Sequence, residues 1–503
     1  MQTTRVVPAN TDFRGSISDI LTGENFDAAT IITSRRGAVR GNHYHKDTIQ
    51  WTYVLTGRVR VAAQVEGQER HEIEIGPGEL VRHDVLEAHS ILAVEDSTFL
   101  VLTRGPRSGE DYESDTYRLE NPLHPRSSES PAAGAMIPVN EPLIGEAAHR
   151  YVGEVMSSGW ISSEGPFLTR FEKEWAEWCG AEYGVAVCNG TAALEIAMGA
   201  LDFKPGDEVI MPTFTIISCA LAVIEAGATP VLVDSDPVTW CMDVEQVRQR
   251  VTPRTRAILA VHMYGHPAEL DPLREIAAEA GVDLIEDAAE AHGATYKGKR
   301  VGAFGRMSCF SFYANKIITT GEGGMVLCRT EEDAERLRSL RNLCFRKDRR
   351  FWHTELGHNF RMTNLQAALG VAQVEQIDDH IRRKKAIAAH YGARLSGLAG
   401  LQLPAELPHV SSVFWMYGVV LDESLPLDAT QFAHELRKRG VDTRPFFIGM
   451  HEQPALRDRG LFAGERHPVA ERLARRGFYL PTGLTLTDAQ LDRVCDAVAA
   501  VHG

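Results

Sequence analysis

No stretch of this chain reaches the ~18 uncharged apolar residues that a membrane helix needs. The opening "MQTTRVVPANTDFRG" also lacks the apolar core of a secretory signal. Both absences point to a cytoplasmic protein with no membrane partner. Positive charge is scarce, with 53 Lys and Arg against 68 Asp and Glu and a net charge of −15. Nucleic-acid binding relies on clustered cations, so no nucleic-acid partner is expected, and short basic runs such as Arg382 to Lys385 read as solvated helix faces. Paired cysteines are missing too. The eight cysteines, at positions 179, 188, 219, 241, 309, 328, 344 and 495, form no C-x-x-C pair and no zinc spacing, which reads as buried free thiols. There is no internal repeat and no long low-complexity tract.

What is present divides the 503 residues into two or three domains. From Thr30 to Thr103, short β-rich runs such as "IQWTYVLTG" and "RVRVAAQVEG" are punctuated by Gly, Pro and Asp, the spacing of an all-β barrel or sandwich. The boundaries read as a β-barrel domain over residues 1–122 and a linker over 123–136, rich in Pro, Ser and Ala. Beyond it, apolar runs such as "DEVIMPTF", "AILAVHMYG" and "VDLIEDAAE" alternate with helical stretches, implying a mostly parallel sheet covered on both faces, a large α/β domain over 137–375. A charged helical stretch then leads into a small α+β domain over 376–503.

In "FSFYANKIITTGEGG" one lysine, Lys316, stands between an apolar run and a glycine cluster. A P-loop places its glycines before the lysine and a helix after it; here the order is reversed. An apolar setting lowers an amine's pKa toward the range in which it acts as a nucleophile, as a Schiff-base lysine must. An isolated lysine more often sits at a strand end with its amine in water, so its companions decide. In "VDLIEDAAEAHG" an apolar strand ends in Glu286 and Asp287, and an acid at the carboxyl end of a parallel strand faces the ligand crevice. Such an acid can keep the pyridine nitrogen of pyridoxal phosphate protonated, or simply cap the next helix. In "VAVCNGTAALEIAMGAL" a strand turns through Asn189 and Gly190 into a helix. Its free amides, with the Thr191 hydroxyl, suit a phosphate, although capping explains that turn equally well. Ser311 offers a second hydroxyl.

In this order, phosphate turn, acid and amine resemble the sugar aminotransferases of the DegT/DnrJ/EryC1/StrS group, from about Ile137 to the C-terminus. The motifs "SGWISSEGPFLTRFE", "HMYGHP", "EDAAEAHG", "SFYANKIITTGEGGM", "NFRMTNLQAALG" and "TRPFF" carry the resemblance and are most similar to its perosamine-forming branch. The resemblance implies the pyridoxal-phosphate-dependent aspartate-aminotransferase (type I) fold, a nucleotide-linked 4-keto-6-deoxy sugar as substrate and L-glutamate as amino donor. It makes Lys316 the Schiff-base lysine and later the proton shuttle. Asp287 becomes the partner of the pyridine nitrogen, and Glu290 lies near the ring hydroxyl, where relatives often have Gln. Gly190, Thr191 and Ser311 hold the phosphate. Asn359 in "GHNFRM" reaches the phosphate of the neighbouring subunit, so a homodimer with shared active sites is the minimal unit. One departure is Ile216 in "PTFTIIS", where relatives commonly place an aromatic over the cofactor ring. A related branch replaces the lysine with histidine and dehydrates its sugar; the presence of Lys316 favours transamination. The alternative of a regulatory binding protein on the same scaffold predicts damage to the lysine, the acid or the phosphate turn, and all three are intact.

Near the N-terminus, "RGNHYHKDTIQWTYVLTGRV" carries His43 and His45 two residues apart, which on a strand share one face. Gln50 follows, and "GPGELVRHDVLEAHS" supplies His83 and His89. This resembles a cupin barrel, and three roles stand open. His43, His45, Gln50 and His89 form a possible divalent-metal site, with Gln a weaker ligand than the usual Glu. Alternatively, "RGNHYHKDTIQ" resembles the R-G-x-H-x-H-K-x-x-x-Q pattern of dTDP-sugar 3,4-ketoisomerases, where His43 and His45 would be catalytic and shift protons without a metal. The third is a non-catalytic sugar-binding or assembly domain. An isomerase could move a ketone before amination, yet the other half resembles a 4-amino enzyme whose substrate already carries its ketone at carbon 4.

Overall fold

The computed structural model of the chain describes residues 2–12, 15–106, 115–119, 123–124, 136–346 and 348–503. It contains two compact units, Met1–Ala135 and Met136–Gly503.

In the first unit, runs rich in β-branched and aromatic residues form two antiparallel five-stranded sheets. One has the spatial order Gln2–Arg5, Glu79–His83, Ile49–Thr56, Ser97–Arg104 and Ala28–Ser34; the other runs Tyr117–Arg118, Val39–Tyr44, Glu87–Ala93, Val59–Val65 and His71–Ile75. The chain crosses between them at Gly57, which has φ 76°, and a Cβ there would lie 2.3 Å from the Asp96 carbonyl oxygen, so only glycine fits. Val54, Val59, Val61, Val81, Ile91 and Phe99 form the core. His43 pairs in register with His89, and Gln50 with His83.

Leu123 and His124, which composition assigns to the linker, are buried in this unit instead. Asn42 Nδ2 donates to the His124 carbonyl at 2.9 Å, and the His124 N–H returns a bond to Asn42 Oδ1 at 3.1 Å. Two anchored residues are too few to register as a hydrophobic period. Residues 125–135 of the expected linker lie outside the described residues.

The second unit is built on a seven-stranded sheet. Its spatial order is Tyr183–Val187, Gly324–Cys328, Met307–Ser311, Asp283–Asp287, Thr255–Val261, Glu208–Pro212 and Thr229–Val233. The Gly324–Cys328 strand is antiparallel to both neighbours, and the other six strands share one direction. Three of the strands are buried at every position, as a sheet covered on both faces requires. This topology brings the carboxyl ends of Tyr183–Val187, Asp283–Asp287 and Met307–Ser311 to one edge, where open α/β sheets bind ligands. A smaller antiparallel sheet follows in the order Leu401–Gln402, Tyr417–Leu421, Gly477–Leu480 and Arg444–Pro445. Its core draws Tyr391, Phe432, Phe478 and Val498 from sheet and helices together. All eight cysteines are free thiols, seven of them buried and Cys188 partly so. Among the described residues, no helix is long and apolar enough to cross a membrane.

Candidate active site

At the sheet edge, the strand Tyr183–Val187 turns into the helix Gly190–Gly199, capped by Asn189, whose side chain accepts from the Ala192 N–H at 2.8 Å. Gly190 is obligatory, because a Cβ there would lie 2.7 Å from the Ser311 Cβ. Gly324 closes the other side, since its Cβ would meet the Asn189 carbonyl at 2.3 Å. The Thr191 hydroxyl lies 2.8 Å from that of Ser218, in the first turn of the helix Ile217–Glu225. Two helix N-termini, with N–H groups that have no intrahelical acceptor, thus converge with three hydroxyls on one spot suited to an anion.

Strand alternation separates the two acids that end Asp283–Asp287. Glu286 is fully buried and accepts from the N–H groups of Gly302, Phe304 and Gly305 and from the Ser308 hydroxyl, at 2.8 to 2.9 Å. Burial works against its charged form, but His262, 3.1 Å away, and the turn amides outweigh it and hold the carboxyl at about 2. Glu286 is therefore a structural anchor. Asp287 faces the cavity; its Oδ1 accepts from the Ala289 N–H at 3.0 Å and its Oδ2 from the Cys219 thiol at 3.1 Å.

Burial pushes the Lys316 ammonium below the ordinary lysine value, opposed by the charges of Glu290 and Asp287. Glu290, also buried, is pushed up to about 7 by its burial although Lys316 pulls the other way. Burial and Lys316 hold the His292 imidazole down to about 3, and its Nε2 lies 2.8 Å from the Ser311 carbonyl.

Part of this set borders a cavity of about 460 Å³. Gly190, Thr191, Asp287, Glu290, Ser311 and Lys316 all border it, as does Ile216, which is 42% exposed. Asn359 does not. It is exposed, and its Oδ1 accepts from Arg361 Nε at 2.9 Å and Nη2 at 2.7 Å. Sequence reasoning missed Ser218, Cys219 and an aromatic wall of Trp415, Phe447 and Tyr479 that borders the cavity from the C-terminal segment. An anion cradle at one end, with an amine and a buried acid beyond it, suits a phosphorylated aldehyde that carries a basic ring nitrogen.

In the first unit, His43, His45 and His89 are buried with one ring nitrogen each inside a 4.8 Å span, and their ring centroids are 4.7 to 5.3 Å apart. His83 stacks on His89 at 4.3 Å. Burial and the neighbouring imidazoles push the His89 pKa well down. His45 Nδ1 lies 2.5 Å from the Asp115 carbonyl, and Gln50 Nε2 donates to Thr52 Oγ1 at 3.3 Å.

Residues 142–499 match the model of the DegT/DnrJ/EryC1/StrS aminotransferase family, and residues 10–117 match a polysaccharide biosynthesis C-terminal domain. The chain is 42% identical to the GDP-perosamine synthase of Caulobacter vibrioides over 70% of its own length and 94% of that protein. It is 40% identical to dTDP-3-amino-3,4,6-trideoxy-alpha-D-glucose transaminase of Streptomyces venezuelae, covering 66% and 86%. Among solved structures, the aminotransferase TlmJ of Streptoalloteichus hindustanus superimposes with a TM-score of 0.68 at 34% identity, covering 73% of this chain and 98% of that one. The S. venezuelae DesV structure does so with a TM-score of 0.65 at 36% identity, covering 72% and 99%. The chain belongs to the DegT/DnrJ/EryC1/StrS aminotransferase family and has the type I fold of its pyridoxal-phosphate-dependent enzymes.

Proposed function

We propose that the second unit transfers an amino group from L-glutamate to the ketone of a nucleotide-linked 4-keto-6-deoxy sugar, with pyridoxal phosphate as cofactor. The observation that carries this reading is the meeting of Lys316, Asp287 and the Gly190–Thr191 helix start in one cavity. The likeness to GDP-perosamine synthases supports the sugar class.

Gly190 and Thr191, with the Ser311 hydroxyl, would hold the phosphate at the helix N-termini. Asp287 would keep the ring nitrogen protonated, and Glu290 would serve the ring hydroxyl. When bound, the cofactor supplies an electron sink that makes the carbon–hydrogen bond beside the amino nitrogen acidic. Lys316, whose ammonium is weakened by burial, would be the amine that holds the cofactor's aldehyde carbon and, when released, would serve as the group that moves a proton between donor and acceptor carbons. Trp415, Phe447 and Tyr479 give the cavity an apolar side. Asn359, exposed and outside its own cavity, supports a homodimer in which it reaches the partner's phosphate.

The test is to incubate the full chain with pyridoxal phosphate and glutamate, offering GDP-4-keto-6-deoxymannose and the dTDP-keto sugars in turn, with mass-spectrometric and NMR product analysis. An amino sugar from one of them is expected. A protein that shows no cofactor absorbance and makes none of these products overturns the reading. Lys316→Ala is expected to abolish turnover and the yellow colour of the bound cofactor.

For the first unit we propose proton shuttling at His43 and His45 on a keto sugar, which the close packing of the histidines supports. The same cluster favours a second reading, a three-histidine divalent-metal site supplemented by Gln50. Isomerisation that survives chelation and vanishes in His45→Ala supports the first; stoichiometric metal in the purified protein supports the second. Neither result leaves a non-catalytic sugar-binding or assembly domain.

A further inference from the structure

Trp415 is fixed to its surroundings at three points. Its indole N–H donates to the carbonyl of Asn315, the residue before Lys316, at 2.8 Å. Its own carbonyl accepts from the Lys384 ammonium at 3.0 Å and from the Thr482 hydroxyl at 3.0 Å. Only 4% of the residue is exposed. The ring so held turns its face to Lys316, whose Nζ lies 3.8 Å from the ring centroid.

We propose that Trp415 is a positioning residue for the transamination. Its indole face lies against the Lys316 Nζ and favours the protonated form of that amine over what burial alone would allow, and so sets how readily the lysine gives and takes a proton. The inference rests on the reading of Lys316 as the reacting amine.

A cation over an indole face is stabilised by the ring quadrupole, more strongly where water is excluded. Three titratable groups also face the amine: Glu290 and Asp287 favour its charged form, while its charge disfavours that of His292. Among the described residues no carboxylate comes within 4.0 Å to make an ion pair with it. The difference matters for motion. A close carboxylate would hold the ammonium by directed hydrogen bonds that must break at each transfer, whereas a π face holds it without fixing its hydrogens. The Lys316 amine is thus left free to turn its hydrogens while remaining over Trp415.

The experiment uses the full chain freed of cofactor. Lys316 is titrated by competitive labelling with acetic anhydride across a pH series, and its modification is read by peptide mass spectrometry. Trp415→Leu is expected to lower the midpoint by about one pH unit, and Trp415→Phe by about half as much, because the smaller ring has the weaker quadrupole. A folded Trp415→Leu with the wild-type midpoint overturns the proposal. If that variant does not fold, an unshifted midpoint in Trp415→Phe does the same. The readout needs neither cofactor nor sugar, so it can fail while the product assay succeeds, and the reverse.

Discussion

The backbone N–H of Tyr264 donates to Glu290 Oε2 at 2.8 Å, from a residue whose φ of 52° lies in the left-handed region. This strained donor meets a carboxyl that burial has pushed up to about 7. A carboxyl that holds its proton more tightly folded than unfolded favours the folded state in acid. Its contribution is complete below the ordinary glutamate value and is lost as pH rises through about 7. Glu290→Gln keeps the shape and removes the titration. Cofactor-free Glu290→Gln should therefore gain stability relative to the parent between about pH 5 and pH 8, by up to roughly 3 kcal/mol, measured as denaturant midpoints at both pH values. An equal difference at the two pH values would dismiss the assignment.

Cys219 gives Asp287 a weak S–H donor. Cys219→Ser supplies a stronger donor to the Asp287 carboxylate; Cys219→Ala removes the donor. The protonation of a bound cofactor's ring nitrogen should move in opposite directions in the two variants, read by the NMR shift of ring-labelled 15N. Turnover should change by about tenfold or less, the worth of one hydrogen bond. Shifts of the same sign would mean that the thiol only fills space.

Gly190→Ala forces a methyl group against Ser311. Overpacking of this kind costs about 1–3 kcal/mol, so pyridoxal phosphate should bind roughly tenfold to a hundredfold more weakly. Fluorescence titration of the cofactor gives the number, and an unchanged affinity would remove the helix start from the phosphate site.

Lys384 is buried at 1% exposure, its ammonium bonded to the carbonyls of Trp415 and Thr482, and burial lowers its pKa to about 7. The folded lysine loses its proton near 7 while the unfolded one keeps it to the ordinary lysine value. Stability should thus climb as pH rises between those limits. In Lys384→Met that climb should disappear, seen as flat thermal midpoints between about pH 7 and pH 10. A variant that keeps the slope would clear Lys384 as its source.

The sheet side of the cavity was legible because its signals are local. A strand that ends in an acid, a strand that turns through Asn189 and Gly190, and a lysine after an apolar run each lie within a dozen residues. Period-two alternation shows that Glu286 and Asp287 point opposite ways but not which of them meets the ligand; the turn around Gly302–Gly305 decides that by taking Glu286. Cys219 was read as a buried thiol, and it is one, but its partner lies 68 residues away. Trp415, Phe447 and Tyr479 come from further still, inside segments whose hydrophobicity only reports burial, so nothing nearby marks them as facing a lysine.

Gly190 and Ser311 leave no space between them for a single methyl group. The turn that receives an anion and the strand that leads to Lys316 therefore move as one block. Phe447 and Tyr479 stand on the other side of the cavity, both rings packed on Tyr264. Trp415 comes from that same side, but its indole N–H is tied to Asn315. A substitution at 447 or 479 leaves the tie to Asn315 in place, whereas one at 415 cuts it.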